Sequence, residues 1–501
     1  MKRILYSSLT AFMLVFASCE KEYLETSPTD ATPVEDVFTT TDNAWRAVNG
    51  MHRSMFFQYS RQDQAGHGSV MINMEMLGED LVNNSTASSW FMDTYRWLAH
   101  RDEQHPTVDF VYRFYYKIIA NANMIIANID GATGEQTQKN YIKGQALAYR
   151  AWAHHQLVQI FAERYAAGTA NSQLGVPLML TNSMEGQPRA TVAEVYSQIN
   201  KDLDEAIVLL DGFDRTSRAN LDMSAKSHIN QSVAKGLKAR VALTMQDWTN
   251  AAKFASEARQ GTKEALGLMS NAEYLQGFNS TTNSEWMWGS RQIQDQTTYF
   301  YSFFAFMSLN FSSSNIRANP KSINSKLYEQ ISATDVRKQL WDPTGTAFTV
   351  PASNFSKYPY MNRKFLSGGG PNSSIGDVPY MRAAEMYLIE AEAKARLGQG
   401  DAADVLYTLA SNRDPEYVRS SNTGQALVDE IMIQRRVELW GEGFRFFDLK
   451  RTNSDLDRTG SNHNTTTAGN KMFVAAGDKA WQWLLPRREI NPNPAIIQNP
   501  L

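Results

Sequence analysis

Apolar side chains return every three or four residues through several long stretches of this chain, and the stretches come in short-linked pairs. Tyr112, Tyr116, Ile119, Asn123, Ile126 and Ile129 fall on one face of a helix that ends before Gly131. A partner helix is expected from about Thr137 to Tyr165. Thr191 and Glu194 form a Thr-x-x-Glu box that opens a third helix, with Val192, Val195, Ile199, Leu203, Ala206 and Leu210 on its buried side. Its partner covers roughly 230–245, with Val233, Leu237, Val241 and Thr244 together, and a helix over 249–260 follows Asp247 and Trp248. Further along, 380–397 stops at Gly398, Asp401 opens a helix to about Asn412, and 425–440 forms another.

One such pair cannot bury its own apolar stripe, but stacked pairs can, as in tetratricopeptide solenoids. The expected class is therefore mainly all-α, a TPR-like helix-pair scaffold. With 501 residues, 43% of them hydrophobic and 20% charged, there is material for a large core. Between 261 and 379 the helical period fades and Ser, Asn, Gly and Pro take over, with a glycine turn at Ser367–Gly370. This reads as a loop-rich insertion. Eighteen of the chain's 56 aromatic residues nevertheless lie between Tyr274 and Phe365, about twice an even share. Those rings either pack a second lobe or line a ligand surface.

On local composition the candidate ligand contacts are Trp90, in the polar run NNSTASSWF, then Trp286 and Trp288, which share a face if their stretch is a strand, and Tyr299, Tyr301, Asn315 and Arg317. Each competes with a packing role. Other chemistries lack their residues. The net charge of −3 and the absence of a Lys/Arg run argue against nucleic acid. Phosphate-binding glycine loops and a G-x-S-x-G elbow are missing. His154 and His155 point about 100° apart on a helix, which suggests one in the core and one at the surface. His100 and His105 flank Arg101, Asp102 and Glu103 and read as a solvated loop. Asp455, Asp457 and Gly460 imitate a calcium loop that has Thr466 in place of its bidentate Glu. Glu438 and Glu442 have a glycosidase-like spacing, but Arg435, Arg436 and Arg445 crowd them, so ion pairing is expected instead. No metal, cofactor or catalytic residue is expected.

At the front, Lys2 and Arg3, a largely apolar stretch from Ile4 to Phe16, and Ala17-Ser18 precede Cys19, the sole cysteine. A stretch of thirteen residues, three of them polar, is too short to cross about 30 Å of hydrocarbon at 1.5 Å each. The segment resembles a bacterial lipoprotein signal: residues 1–18 would be removed, Cys19 lipidated, and 19–33 left as a tether. CEKEYLE is similar to the export tails of surface lipoproteins in Bacteroidetes. The folded chain is divided into 34–260 and 261–501.

Four segments carry a wider resemblance: YIKGQALAYRAWAHHQLVQIF (Tyr141–Phe161), YMRAAEMYLIEAEAKARLG (Tyr380–Gly398), QRRVELWGEGFRFFDLKR (Gln434–Arg451) and LPRREINPNPAIIQNP (Leu485–Pro500). Together they resemble the SusD/RagB family of Bacteroidetes outer-membrane lipoproteins. The resemblance implies TPR-like pairs carrying a variable ligand lobe, and no enzymatic activity. It implies binding of oligosaccharide or polysaccharide at the cell surface, with delivery to a SusC-like TonB-dependent transporter. Peptide capture, as by RagB-like members, is the runner-up, and a surface glycoside hydrolase is the alternative from another class.

Overall fold

The helices follow from the spacing, and their ends follow from local capping and tertiary contacts. The computed structural model describes residues 37–212, 226–261, 266–296 and 300–501; Cys19, the tether and Tyr299 lie outside them. Helices of eight or more residues and the strands are numbered in chain order. Thr40 caps α1 (Thr41–Ser54) by accepting from the Asn43 N–H. Next come α2 (Gly66–Met76), β1 (Leu81–Asn83), α3 (Pro106–Asn128) and α4 (Gln136–Phe161). The Thr191–Glu194 box is present on α5 (Val192–Leu209), Asn230 caps α6 (Gln231–Met245), and Asp247 caps α7 (Trp248–Gln260).

The lobe contributes β2 (Trp286–Gly289), β3 (Lys321–Ile323), β4 (Trp341–Asp342), β5 (Met361–Asn362) and β6 (Pro379–Arg382). The chain then returns to helices with α8 (Ala383–Arg396), α9 (Ala402–Arg413), α10 (Gly424–Glu438) and α11 (Arg445–Thr452). It closes with β7 (Leu456–Asp457), β8 (Phe473–Val474) and an irregular C-terminal strap. Helix accounts for 48% and strand for 6%, so the fold is mainly all-α as expected. Among the described residues, no helix is long and apolar enough to cross a membrane.

Consecutive helices stack: α3 on α4, α4 on α5, α5 on α6, α6 on α7, and α8 on both α9 and α10. The link between the two runs is α7 against α8, although residues 261–382 separate them. The loop-rich lobe is thus inserted inside a helix pair. Its strand β3 pairs antiparallel with β1, Leu81 opposite Ile323 and Asn83 opposite Lys321, in a sheet ordered β1-β3-β5-β4. A second ribbon, β2 with β6, is irregular in register at Trp288. One apolar core runs from Phe38 to Ile496 through scaffold and lobe alike.

One expected helix limit changes, and one helix is present that no spacing predicts, both for tertiary reasons. The second helix stops at Phe161 instead of Tyr165 because its last carbonyls are taken elsewhere. Lys450 Nζ donates to Gln159 O (2.6 Å), Ala162 O (2.7 Å) and Trp481 O (2.8 Å), and Asn499 Nδ2 donates to Phe161 O (2.6 Å). Helix α2 has no visible period because all of its residues are buried, so it offers no polar face for a pattern to reveal.

A buried ion cluster fastens lobe to scaffold. Arg382 donates to Glu285, to Glu438 Oε1 (3.0 Å) and to Glu442 Oε1 (2.7 Å). Arg413 reaches Glu285 (2.7 Å) and Glu438 (3.1 Å), Arg337 binds Asp335 (2.6 Å) and Glu438 (3.3 Å), and Lys364 binds Glu442 (2.7 Å). Four cations face four carboxylates, so the cluster is neutral as a whole. The expected partners of Glu438 and Glu442 are corrected here: Arg435 instead pairs with Asp448, Arg436 with Asp80, and Arg445 with Glu79.

Candidate ligand site

Loop 84–91 leaves β1 and is tied to the lobe by amide side chains. Asn319 Oδ1 accepts from the N–H groups of Asn84 and Ser85, each at 3.1 Å. Asn319 Nδ2 donates to Asn83 Oδ1 (2.8 Å) and Ser85 O (3.0 Å), and Asn84 Nδ2 donates to Pro320 O and Ser322 Oγ, both at 2.7 Å. Beneath them Lys321 is buried, its ammonium on Asn83 Oδ1 (2.8 Å) and Asn319 O (3.0 Å), and burial presses it down to about 7.

These bonds end at a partly exposed indole. Phe91 adopts a left-handed conformation (φ 62°) and packs edge-on against Phe306 of the lobe at 5.0 Å, while Trp90 meets the same ring at 6.4 Å. A non-glycine residue held there stores about 1–3 kcal/mol of backbone strain, which the anchored Phe91 ring offsets. The Arg61 guanidinium lies 5.6 Å from the centre of the Trp90 ring. Asp63 orients it through bonds of 3.1 and 3.2 Å. Burial raises the Asp63 carboxyl, against the pull of Arg61. The resulting surface has a ring, a guanidinium and a polar loop with exposed Thr86, Ala87 and Ser89. Such a face can stack against the C–H side of a pyranose and meet its hydroxyls.

Of the candidates read from sequence, Trp90 sits at this face. Tyr301 and Arg317 are partly exposed on the stretch of lobe that contains Phe306. Asn315 is buried, and its amide donates to Phe300 O (3.3 Å), so it braces the lobe from within. Trp286 and Trp288 are corrected: they are 1% and 0% exposed and belong to the core. Trp288 meets Tyr380 (5.2 Å) and Trp152 of α4 (5.4 Å), and its N–H donates to Ser227 O (3.1 Å). The β2–β6 ribbon buries both of its faces, so alternation along the strand did not mark an open side. Arg61, Asn84 and Asn319 were missed. Asn84 and Asn319 are ordinary polar residues until strand pairing brings 84–91 and 319–322 together, and Arg61 is one until its guanidinium meets the Trp90 ring.

The histidine expectations also change. His100 is buried, its Nε2 2.9 Å from Ala480 O, and burial lowers it to about 3. His154 and His155 are both buried, because α4 is covered on every side by α3, α5 and the lobe. Among the described residues no group of three His, Cys, Asp or Glu could hold a metal ion. Burial alone would raise Glu438 and Glu442, but Arg413, Arg382 and Arg337 hold Glu438 well below the carboxylate range, and Arg382 with Lys364 lowers Glu442. This pair therefore contains no protonated acid for glycoside cleavage.

The motif EGFRFFDLKR is accounted for by structure. Glu442 enters the ion cluster, and Arg445 binds Glu79. Gly443 (φ 88°) lies where a Cβ would come within 2.9 Å of the Met71 Cα, and Asp448 bridges Arg435 and Arg451. Lys450 caps α4.

Comparison with known proteins agrees with this architecture. Residues 248–501 match the family model described as SusD family, and residues 39–243 match one described as starch-binding associating with outer membrane. The SusD-like protein P2 of Formosa agariphila is 23% identical over 97% of this chain and 96% of its own. SusD-like protein P38 of the same organism is 29% identical over 26% of this chain and 25% of its own length. A SusD-like carbohydrate binding protein from Bacteroides vulgatus superposes with a TM-score of 0.79 at 26% identity, covering 92% of this chain and 98% of that one. Surface glycan-binding protein A from Bacteroides thetaiotaomicron, solved in complex with laminarihexaose, shares the fold at 17% identity, with a TM-score of 0.70 over 92% of this chain and 100% of that one. By its helix-pair scaffold, its inserted lobe and a family match across its C-terminal half, this chain belongs to the SusD family.

Proposed function

We propose that this protein binds oligosaccharide or polysaccharide at the Trp90 face and delivers it to a SusC-like TonB-dependent transporter, breaking no bond itself. The observation that carries the reading is the partly exposed Trp90 ring, framed by Arg61 and a loop held rigid by Asn319. Rings held in place stack on sugars without losing further side-chain freedom, which favours capture. The relatives named above, one a carbohydrate binding protein and one bound to laminarihexaose, support this ligand class. In this reading Cys19 carries the lipid, residues 19–33 form the tether, and the protein sits at the outer face of the outer membrane. Tyr299, Tyr301 and Arg317 would extend the contact surface.

Calorimetry of the mature chain with laminarihexaose and starch-derived oligosaccharides tests the binding. Trp90→Ala should weaken the tightest of these at least tenfold while leaving the thermal midpoint unchanged. Equal affinity in Trp90→Ala, or shortened sugars after incubation, would refute the assignment. Loss of membrane association in Cys19→Ala and co-purification with a TonB-dependent transporter test the remaining parts.

A further inference from the structure

Three stretches of the chain, 81–92, 296–328 and 343–376, contain six Lys or Arg and no Asp or Glu, although acids outnumber bases in the whole sequence. Strand pairing gathers them, because β1 belongs to the first, β3 to the second and β5 to the third, and the three strands are neighbours in one sheet. Most of the carboxylates that bound these stretches are engaged elsewhere. Asp80 pairs with Arg436 and Asp93 lies beside His105 (3.5 Å), while Asp342 accepts from N–H groups of its own loop and Asp377 from those of Thr281 and Gln292. Asp295 and Glu329 are exposed, at the outer ends of the second stretch.

Cations are thus in excess where the lobe meets the Trp90 loop. The short turn Ser314–Arg317 packs on the turn Phe304–Met307, whose Phe306 ring meets Trp90, and Asn319, two residues beyond Arg317, holds loop 84–91. Arg317 is partly exposed, and its side chain makes no ion pair or hydrogen bond with the described residues. Its backbone carbonyl accepts from the Ser356 N–H (2.7 Å), next to the exposed Lys357. Arg61 gives Nε and Nη2 to Asp63 and leaves Nη1 unengaged among the described residues. Lys321, buried under the loop, has an amide oxygen and a backbone carbonyl as partners and no carboxylate among the described residues. A neutral sugar gains little from such a surface. A ring bearing a carboxylate or a sulfate gains from each cation it reaches, and guanidinium N–H groups bind such oxygens in pairs.

We propose that the Trp90 face prefers sugars that carry an anionic group, uronate or sulfate, over neutral ones, and that Arg317 and Arg61 set this preference. This rests on the reading that Trp90 stacks on glycan. The indole supplies a grip common to all sugars, and the two guanidinium groups supply the choice among them.

The test is calorimetry of the mature chain with two matched pairs, laminarihexaose against its sulfated form and an oligogalacturonate against its methyl ester. The charged member of at least one pair should bind at least about tenfold more tightly than its neutral counterpart, and that gap should shrink as salt is raised. The pair that shows the gap tells sulfate from carboxylate. Arg317→Gln should reduce the gap by about threefold or more and Arg317→Lys should keep it, with the affinity of the neutral member unchanged in both. Equal affinities within both pairs, each weakened by Trp90→Ala, would overturn the preference and leave the Trp90 face intact. A gap that neither Arg317→Gln nor salt reduces would overturn it as well. Trp90→Ala without effect on any of the four ligands would overturn both readings.

Discussion

Replacing Arg382 by Met removes one charge from a buried cluster that is otherwise balanced. Arg382 is 1% exposed and donates to Glu285, Glu438 and Glu442, while Arg413 and Lys364 remain to serve the same carboxylates. The variant leaves three cations against four carboxylates, one charge uncompensated where water does not reach. Breaking a buried pair in this way costs about 3–5 kcal/mol, more than the pair contributes, because the remaining ion keeps its desolvation penalty. Glu438→Gln creates the opposite imbalance and should cost a similar amount. The double variant restores neutrality with one hydrogen-bonding amide in place, so it should lose about 1–3 kcal/mol less than the sum of the single losses. Urea titrations followed by tryptophan fluorescence give all four stabilities. A loss below about 1 kcal/mol in Arg382→Met, or strict additivity in the double variant, would refute the claim that this cluster holds lobe to scaffold by charge balance.

Glu75 is buried with Oε1 accepting from the N–H groups of Gly443 (2.8 Å) and Phe444 (3.0 Å), and burial, aided by Asp80, raises it to about 7. The folded state keeps this proton to higher pH than the unfolded chain does. Stability from this group is therefore complete below about 4.5 and is lost as pH rises through 7, by about 3 kcal/mol in total. Glu75→Gln should remove that slope in urea titrations between pH 4 and 8; an unchanged slope would contradict it. Gly443→Ala places a Cβ against Met71 in a left-handed conformation and should cost about 2–4 kcal/mol, read as a shift in the urea midpoint. Trp288→Ala should destabilise by about 3–5 kcal/mol while oligosaccharide affinity stays within twofold, the reverse of Trp90→Ala, as differential scanning fluorimetry and calorimetry on both variants would show.

The scaffold was readable because a helix that buries one stripe announces itself. The capping box at Thr191 and Glu194, the stop at Gly398 and the period from Tyr112 to Ile129 are local statements, and local physics settles them. Residues covered from all sides carry no such statement. Helix α2 and the Trp286–Gly289 strand have no polar face, so no period marks the first, and alternation along the second does not separate a packing role for its indoles from a ligand contact. The adjacent His154 and His155 misled for the same reason, since α4 has no solvent side at that turn.

What the amino-acid sequence determined alone is therefore the sequence of paired helices, their approximate limits and the charged signature around Glu442 to Arg451. The tertiary structure decided which tryptophan faces outward. Trp90 and Trp288 are the same residue in similarly mixed surroundings, and burial differs only because β1 pairs with β3 while β2 folds back onto α4. Exposure depends on which distant segments meet, and the energies that bring them together, strand pairing and a neutral buried ion cluster, are sums over residues hundreds of positions apart.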